Sequence, residues 1–198
     1  YDTATNANYG MGLSAGDFGD LSTASLYCRA AGLVFSPVQT SAQSASSFLG
    51  DILNAANCET FMSQGKIQMA SYGDADLNAN GYTYTAPSAP LYDLTEDDFC
   101  PLQENGSLPS GASVSVQGPV HHVRINPQSI KNVIPVGYLD RSQDYNPDSY
   151  SAIDLASVAV LGQQRASKLD WSFICDRTVA TTVAHLQLGR QGVRNWYA

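Results

Sequence analysis

Ser14 is the first residue whose surroundings could support chemistry, because Gly12-Leu13-Ser14-Ala15-Gly16 fits the G-x-S-x-G pattern of serine hydrolases. In those enzymes the serine lies between an apolar strand and a helix, and a histidine serves as its base. Here TNANY precedes the motif and DFGD follows it, so neither element is predicted. The glycines at 10, 12 and 16 are also spaced one residue too widely for a dinucleotide-binding loop. This stretch therefore predicts a bend in the backbone.

Residues 74–85, DADLNANGYTYT, resemble a calcium-binding loop. Oxygen-bearing side chains stand at every second position: Asp74, Asp76, Asn78 and Asn80. An EF-hand loop needs glycine at its sixth position and a bidentate glutamate at its twelfth, where this chain has Ala79 and Thr85. We interpret the stretch as a polar hairpin loop and assign no metal ligand. A calcium-stabilised adhesion module remains an alternative.

Two other groups of polar residues could in principle form a catalytic or metal-binding site. One is an acidic run: Asp93, Glu96, Asp97 and Asp98. Glycosidases need two carboxyl groups facing a sugar cleft, but a run of like charges is usually a solvated turn. His121 and His122 are adjacent on an expected strand, so their rings face opposite ways and cannot chelate one metal. We predict no catalytic, cofactor-binding or metal-ligating residue and no cofactor.

The cysteines and the composition exclude several classes of protein. Cys28, Cys58, Cys100 and Cys175 form no C-x-x-C pair, and the pairing of one possible disulfide stays open. The 198 residues are 43% hydrophobic and carry a net charge of −8 without any basic cluster. Nucleic-acid binding needs clustered cations, so it is not expected. No stretch reaches the roughly 20 apolar residues of a membrane span.

Residues 1–88 are predicted to form a small α/β subdomain of two helices and a hairpin. Apolar residues spaced by three and four predict helices within 21–32 and 40–57, the second capped by Thr40 or Ser41. A hairpin over 58–73 should turn at Gln64-Gly65, and a short strand should follow at 82–85. Prolines and acidic residues then place a domain boundary near residue 88.

Residues 89–198 are predicted to form a mixed β-sheet subdomain with two helices, which makes the chain α+β. Strands are expected in IKNVIPVGYLD and KLDWSFIC, with a helix between them starting at Asn146-Pro147 and ending at Gly162. The last helix should begin at the cap residue Asp176. Structural anchors are expected at four aromatic residues: Trp171, Phe173, Trp196 and Tyr197. The unfinished pattern at both ends suggests an internal piece of a longer chain.

Six stretches, taken in order, resemble a family of bacteriophage tail-tip or baseplate hub proteins. The family includes the hubs of gene-transfer agents and, more distantly, the gp27-like hubs of contractile tails. The matching stretches are NANYGMGL, GDLSTASLYCRAAGLVFSPV, LGDILNAANCETFMSQGKIQMASYGD, YTYTAPSAPLYDLTEDDF, VIPVGYLDRSQDYNPDSYSAIDLASVAVLG and FICDRTVATTVAHLQLGRQGVRNWYA. Residues 100–128 contribute little to the likeness, and Thr181, Thr182, Gly189 and Gly192 loosen a last helix that is richer in Arg and Leu in the family.

This resemblance implies a structural virion component made in the cytoplasm of the host bacterium. It implies that the intact parent protein forms a trimer and contacts the distal tail protein and the tape-measure protein. Host attachment and DNA ejection would follow from that position, with DNA passing through the lumen without specific binding. It implies no enzymatic activity and no membrane insertion by this piece. The enzyme alternative is a tail-associated or secreted hydrolase acting on cell-wall glycan.

Overall fold

The computed structural model describes residues 12–37, 44–87, 123–124, 129–191 and 196–197. The helices of this part are α1 (Ser22–Ala30), α2 (Ala45–Ala55), α3 (Leu155–Leu161) and α4 (Arg177–Gln191). The strands are β1 (Cys58–Ser63), β2 (Lys66–Ser71), β3 (Leu77–Ala79), β4 (Tyr82–Tyr84), β5 (Val123–Arg124), β6 (Val133–Asp140), β7 (Asn146–Ile153), β8 (Leu169–Asp170) and β9 (Trp196–Tyr197).

Four separate sheets connect these strands. Antiparallel pairs join β1 with β2, β3 with β4, and β5 with β9. The largest sheet has the order β7-β6-β8, in which β6 is antiparallel to β7 and parallel to β8. Helices and mixed small sheets confirm the predicted α+β class. None of the helices in the described ranges is long and apolar enough to cross a membrane.

Helix α1 confirms the first predicted helix. Its side chains at every third position, Ala24, Tyr27 and Ala30, are buried. Gly32 ends it in the left-handed region with a φ of 69°. The following N–H of Leu33 donates to the carbonyl of Cys28 at 2.9 Å, which satisfies one of the last free carbonyls of the helix.

Helix α2 begins later than the sequence suggested. Its N-cap is Ser44, whose hydroxyl accepts a hydrogen bond from the N–H of Ser47 at 3.2 Å. The predicted caps, Thr40 and Ser41, are therefore wrong, and both lie outside the described residues. Serine recurs at 41, 44, 46 and 47, so the residue type alone could not select the cap.

Both short hairpins turn through residues with positive φ. Gln64 and Gly65 have φ values of 52° and 73° and connect β1 to β2, as predicted. Asn80 and Gly81, at 55° and 77°, connect β3 to β4. Two consecutive residues of this kind match the twist of a two-residue hairpin. Residues 74–85 therefore fold as a hairpin, as interpreted from the missing calcium ligands.

The predicted helix start at Asn146-Pro147 is wrong, because these residues open strand β7. The preceding turn reverses the chain: Asp144 and Tyr145 have φ values of 53° and 59°, and the N–H of Tyr145 donates to the carbonyl of Asp140 at 2.8 Å. Pro147 lies opposite Leu139 in a strand that pairs on one side with β6. An edge strand tolerates the missing N–H of proline.

Helix α3 begins nine residues after that predicted start. Asp154 caps it by accepting a hydrogen bond from the N–H of Ser157 at 3.1 Å. Gly162 ends it with a φ of 69°, as predicted. The capping carboxylate of Asp154 and the closing glycine therefore define this helix locally.

The strand predicted in KLDWSFIC is only partly present. Strand β8 ends at Asp170, and a turn follows in which the N–H of Ile174 donates to the carbonyl of Trp171 at 3.1 Å. The chain then rejoins β6, where the N–H of Leu139 donates to the carbonyl of Ile174 at 3.0 Å. The predicted strand is therefore wrong beyond Asp170, and the neighbours Phe173 and Ile174 are both buried, which a regular strand with one buried face would not allow.

Helix α4 starts where the sequence predicted, because Asp176 accepts from the N–H of Thr178 at 2.7 Å. It packs on β6, and the two elements supply the centre of the core: Ile134, Val136, Tyr138, Val179, Ala180, Val183 and Ala184. Tyr27 and Ala55 from the preceding half of the chain belong to the same core cluster. The boundary near residue 88 lies outside the described residues, and the subdomains 1–88 and 89–198 stay a prediction.

Candidate functional site

Ser14 lies at an exposed turn and is engaged by a nearby carboxylate. Its hydroxyl donates to Oδ2 of Asp17 at 2.8 Å, and its backbone N–H donates to the same oxygen at 2.7 Å. These bonds close a 3-10 turn over Ala15–Asp17 and lower the pKa of Asp17. The bend predicted for this stretch is therefore a capped turn, in which the Ser14 hydroxyl donates a hydrogen bond to the carboxylate of Asp17.

One of the three histidines, His185, lies in the described ranges. Its Nε2 atom is 3.3 Å from the hydroxyl of Tyr150, in a contact between α4 and β7. His121 and His122 lie outside the described residues, as does the acidic run at 93–98. The structure thus places His185 at an inter-element contact, and the other sequence-derived candidates stay predictions.

The polar side chains of residues 74–85 form hydrogen bonds within the hairpin and with α1. Oδ1 of Asp76 accepts from the N–H of Ala86 at 2.8 Å. The amide of Asn80 donates to the carbonyl of Ala30 at 3.0 Å, at the end of α1. The hydroxyl of Thr83 donates to Oδ1 of Asn78 across the hairpin at 3.4 Å. Within the described ranges no three His, Cys, Asp or Glu side chains are grouped so that they could hold a metal ion.

Two of the four predicted anchors are core residues. Trp171 and Phe173 are buried, and their rings stack with centroids 5.9 Å apart. Phe35, from the first half of the chain, meets Phe173 edge-on at 5.5 Å. Trp196 and Tyr197 form β9, whose backbone pairs with β5. Phe173 therefore packs between the two halves, and Trp171 stacks on its ring.

A groove of about 470 Å³ opens beside the three-stranded sheet. In it the hydroxyl of Tyr138 donates to Oδ2 of Asp148 at 2.7 Å. This bond lowers the pKa of Asp148, while burial and then the bond to Asp148 raise the pKa of Tyr138 to about 12. Tyr138 therefore stays protonated near neutral pH and acts as a hydrogen-bond donor that joins β6 to β7.

Sequence reasoning missed this pair because it depends on strand register. Tyr138 and Asp148 lie directly opposite each other in the antiparallel ladder. Nine residues separate the two in sequence, and the pairing becomes visible only when residues 146–153 are treated as a strand.

The most exposed apolar surface lies on α3. We call it the α3 surface and define it by four exposed residues: Leu155, Ala156, Ala159 and Val160. Leu155 is 74% exposed and Val160 is 85% exposed. The residues stand at i, i+1, i+4 and i+5, which places them side by side on a helix, and α3 contains no charged residue. A contiguous apolar patch of this kind is typical of a contact with another protein.

Comparison with known families adds a finding about most of the chain. The family model Phage-tail_3, described as "Putative phage tail protein", matches residues 44–195. This is about three quarters of the chain and includes α2, both short hairpins, the three-stranded sheet and α4. No curated protein matches the chain.

Proposed function

The chain belongs to the Phage-tail_3 family of phage tail proteins, and from this premise we propose that it is a structural part of the tail-tip hub. The family match supports the tail part of the proposal, because it spans most of the elements that form the core of the fold. The six stretches that resemble hub proteins support the finer assignment to the tip. In this position the protein takes part in tail assembly, host attachment and DNA ejection.

The partners of the proposed hub are protein surfaces. The parent protein forms a trimer, and it meets the distal tail protein and the tape-measure protein. The α3 surface supports this proposal, because Leu155 and Val160 expose apolar side chains on a helix without charge. We assign the α3 surface to the contact between copies of the protein in the trimer.

DNA passes the proposed hub without being held. The net charge of −8 supports this, because phosphates are retained by clustered cations and an acidic wall repels them. The proposed role involves no catalysis. Phage carrying Ser14→Ala should therefore clear peptidoglycan as well as the parent phage does, and loss of clearance would contradict the non-enzymatic role.

Location in the particle tests the hub assignment directly. Gold-labelled antibodies against this chain should mark one end of the tail in electron micrographs of intact particles. Particles from phage with a stop codon in the gene should lack a tail tip and fail to infect. Labelling along the tube or on the capsid would overturn the assignment to the tip while leaving the family membership unchanged.

A charge on the α3 surface tests the subunit contact. Phage carrying Leu155→Asp together with Val160→Asp should assemble at least tenfold fewer complete tails, because two carboxylates would be buried at the contact. Val34→Asp is the matched control, since Val34 is 69% exposed but lies in the link after α1. Equal assembly by both phages would contradict the assigned contact.

A further inference from the structure

Two cysteines that are 30 residues apart in sequence meet at the junction of α1 and β1. The Sγ atoms of Cys28 and Cys58 are 4.0 Å apart. Cys28 lies in the last turn region of α1, and Cys58 is the first residue of β1. A disulfide needs its sulfurs at about 2.05 Å, so the two sulfur atoms must approach each other by about 2 Å for the bond to form.

The two thiols differ in their access to small molecules. Cys28 is half-buried and lines a groove of about 530 Å³ together with Leu21, Ala24 and Ser25. Cys58 is only 2% exposed, and its Sγ lies 3.3 Å from the carbonyl of Ala56. A reagent that enters the groove therefore meets Cys28 first.

The hydrogen bond between the thiols favours the same order of reaction. The contact with Cys58 lowers the pKa of Cys28, and the contact with Cys28 together with burial raises the pKa of Cys58. The thiolate is the nucleophilic form of cysteine. Cys28 is therefore the attacking sulfur, and Cys58 is held as a thiol beside it.

We propose that Cys28 and Cys58 are a redox-active pair, which a small-molecule disulfide such as oxidised glutathione converts into a disulfide bond between α1 and β1. The Cys28 thiolate attacks one sulfur of the reagent, forming a mixed disulfide and releasing the first glutathione thiolate. Cys58 then passes its proton to the released glutathione thiolate, attacks Sγ of Cys28 and expels the second glutathione as a thiolate, which takes a proton from water. Two protein thiols are oxidised, and one glutathione disulfide is reduced to two thiols.

The bond would close a chain segment that contains the whole of α2. Cross-linking Cys28 to Cys58 restricts the unfolded chain, and a loop of this length should raise Tm by about 10 °C. Phage proteins are made in a reducing cytosol and leave it at lysis, so the bond would form in the released particle. Only this last point rests on the proposed function, since the chemistry belongs to the isolated chain.

Peptide mapping tests the pairing without any mutation. Trypsin places the four cysteines in four different peptides: residues 1–29, 30–66, 67–124 and 169–177. After treatment with oxidised glutathione and alkylation of remaining thiols, mass spectrometry should find 1–29 joined to 30–66, lighter than the two free peptides by two hydrogens. Separate alkylated or glutathione-capped peptides, or a link to 67–124 or 169–177, would overturn the proposal.

Thermal unfolding gives an independent measure. The rise in Tm on oxidation should be absent in Cys28→Ser and in Cys58→Ser. In the parent chain, dithiothreitol should return the Tm to the value of the dithiol form. Cys175→Ser is the matched control, because Cys175 is also buried but lies beside the carbonyl of Ser172. A rise that persists in Cys58→Ser, or that disappears in Cys175→Ser, would contradict the assigned pair whatever position the protein has in the tail.

Discussion

The amino-terminal region, residues 12–87, and the carboxy-terminal region, residues 129–191, build their parts of the core from different elements. In the carboxy-terminal region a long strand supplies the core residues. Ile134, Val136 and Tyr138 stand at alternate positions of β6, and their side chains are buried. In the amino-terminal region the buried residues come mainly from α1, while β1 exposes most of its side chains after Cys58.

This difference shows where each region depends on distant partners. Strand β6 is covered by α4 and flanked by β7 and β8, so its burial requires several segments at once. The hairpins of the amino-terminal region are closed by their own two-residue turns. We therefore expect substitutions in β6 to cost more stability than substitutions of similar size in β1.

Truncation of a central β6 residue should have the largest effect. Ile134→Ala removes a fully buried side chain and should lower the free energy of unfolding by about 3–4 kcal/mol. Met62→Ala in β1, where the side chain is 68% exposed, should cost less than about 0.5 kcal/mol. Urea denaturation measures both values, and similar losses would break the distinction between the regions.

A methyl group at Gly73 tests the core of the amino-terminal region. An added Cβ would lie 2.6 Å from Cε2 of Tyr27 and 3.0 Å from Cε1 of Tyr84, whose rings pack edge-on. Gly73→Ala should therefore lower the free energy of unfolding by about 1–3 kcal/mol. A Cβ added at Gly50 on α2 would have no atom within 4 Å, so Gly50→Ala should instead raise the free energy of unfolding by about 0.5–1 kcal/mol. Equal signs would contradict the packing of the two rings.

The bond between the regions should have an intermediate effect. Gln187 is buried on α4 and donates to the carbonyl of Asn54, near the end of α2, at 2.6 Å. Gln187→Ala leaves that carbonyl without this partner and should cost about 1–2 kcal/mol in thermal unfolding. Thr181→Ala on the same helix should change stability little, because Thr181 bonds only within α4. Equal losses would show that Gln187 does not join the regions.

The Tyr138–Asp148 bond should give the smallest effect and a specific dependence on pH. Because the folded-state pKa of Asp148 is lowered below 3.8, its stabilising effect is complete above about pH 4 and is lost as pH falls through the folded value. Tyr138→Phe should lower Tm at pH 7 and flatten the fall of Tm below pH 4. Tyr145→Phe, at a 52% exposed position, should retain the steeper fall.

Local signals predicted several elements correctly. The turn at Gln64-Gly65, the end of α3 at Gly162 and the start of α4 at Asp176 depend on the conformation or capping of a few neighbouring residues. Such preferences can be recognised without knowledge of the fold.

The errors lie where a distant partner decides between two local possibilities. Proline is compatible both with the first turn of a helix and with an edge strand, and the pairing of Pro147 with Leu139 selects the strand. In KLDWSFIC the local sequence favours a strand, but the turn after Trp171 ends the strand without a glycine or proline to signal it.

The same reason explains what could be predicted about the candidate sites. The bend around Ser14 and the hairpin at 74–85 followed from residues next to each other in sequence. The contacts of Tyr138 with Asp148 and of Cys28 with Cys58 join separate elements, so neither pair has a sequence signature.

The late position of α4 has a consequence for synthesis of the protein on the ribosome. Strand β6 ends at Asp140, and the helix that covers it begins at Arg177. At ordinary rates of translation, synthesis of the segment between them takes roughly 2–8 s, during which Ile134 and Val136 are not covered by α4. The nascent chain should therefore expose an apolar strand for seconds, long enough for a chaperone to engage it before folding is complete.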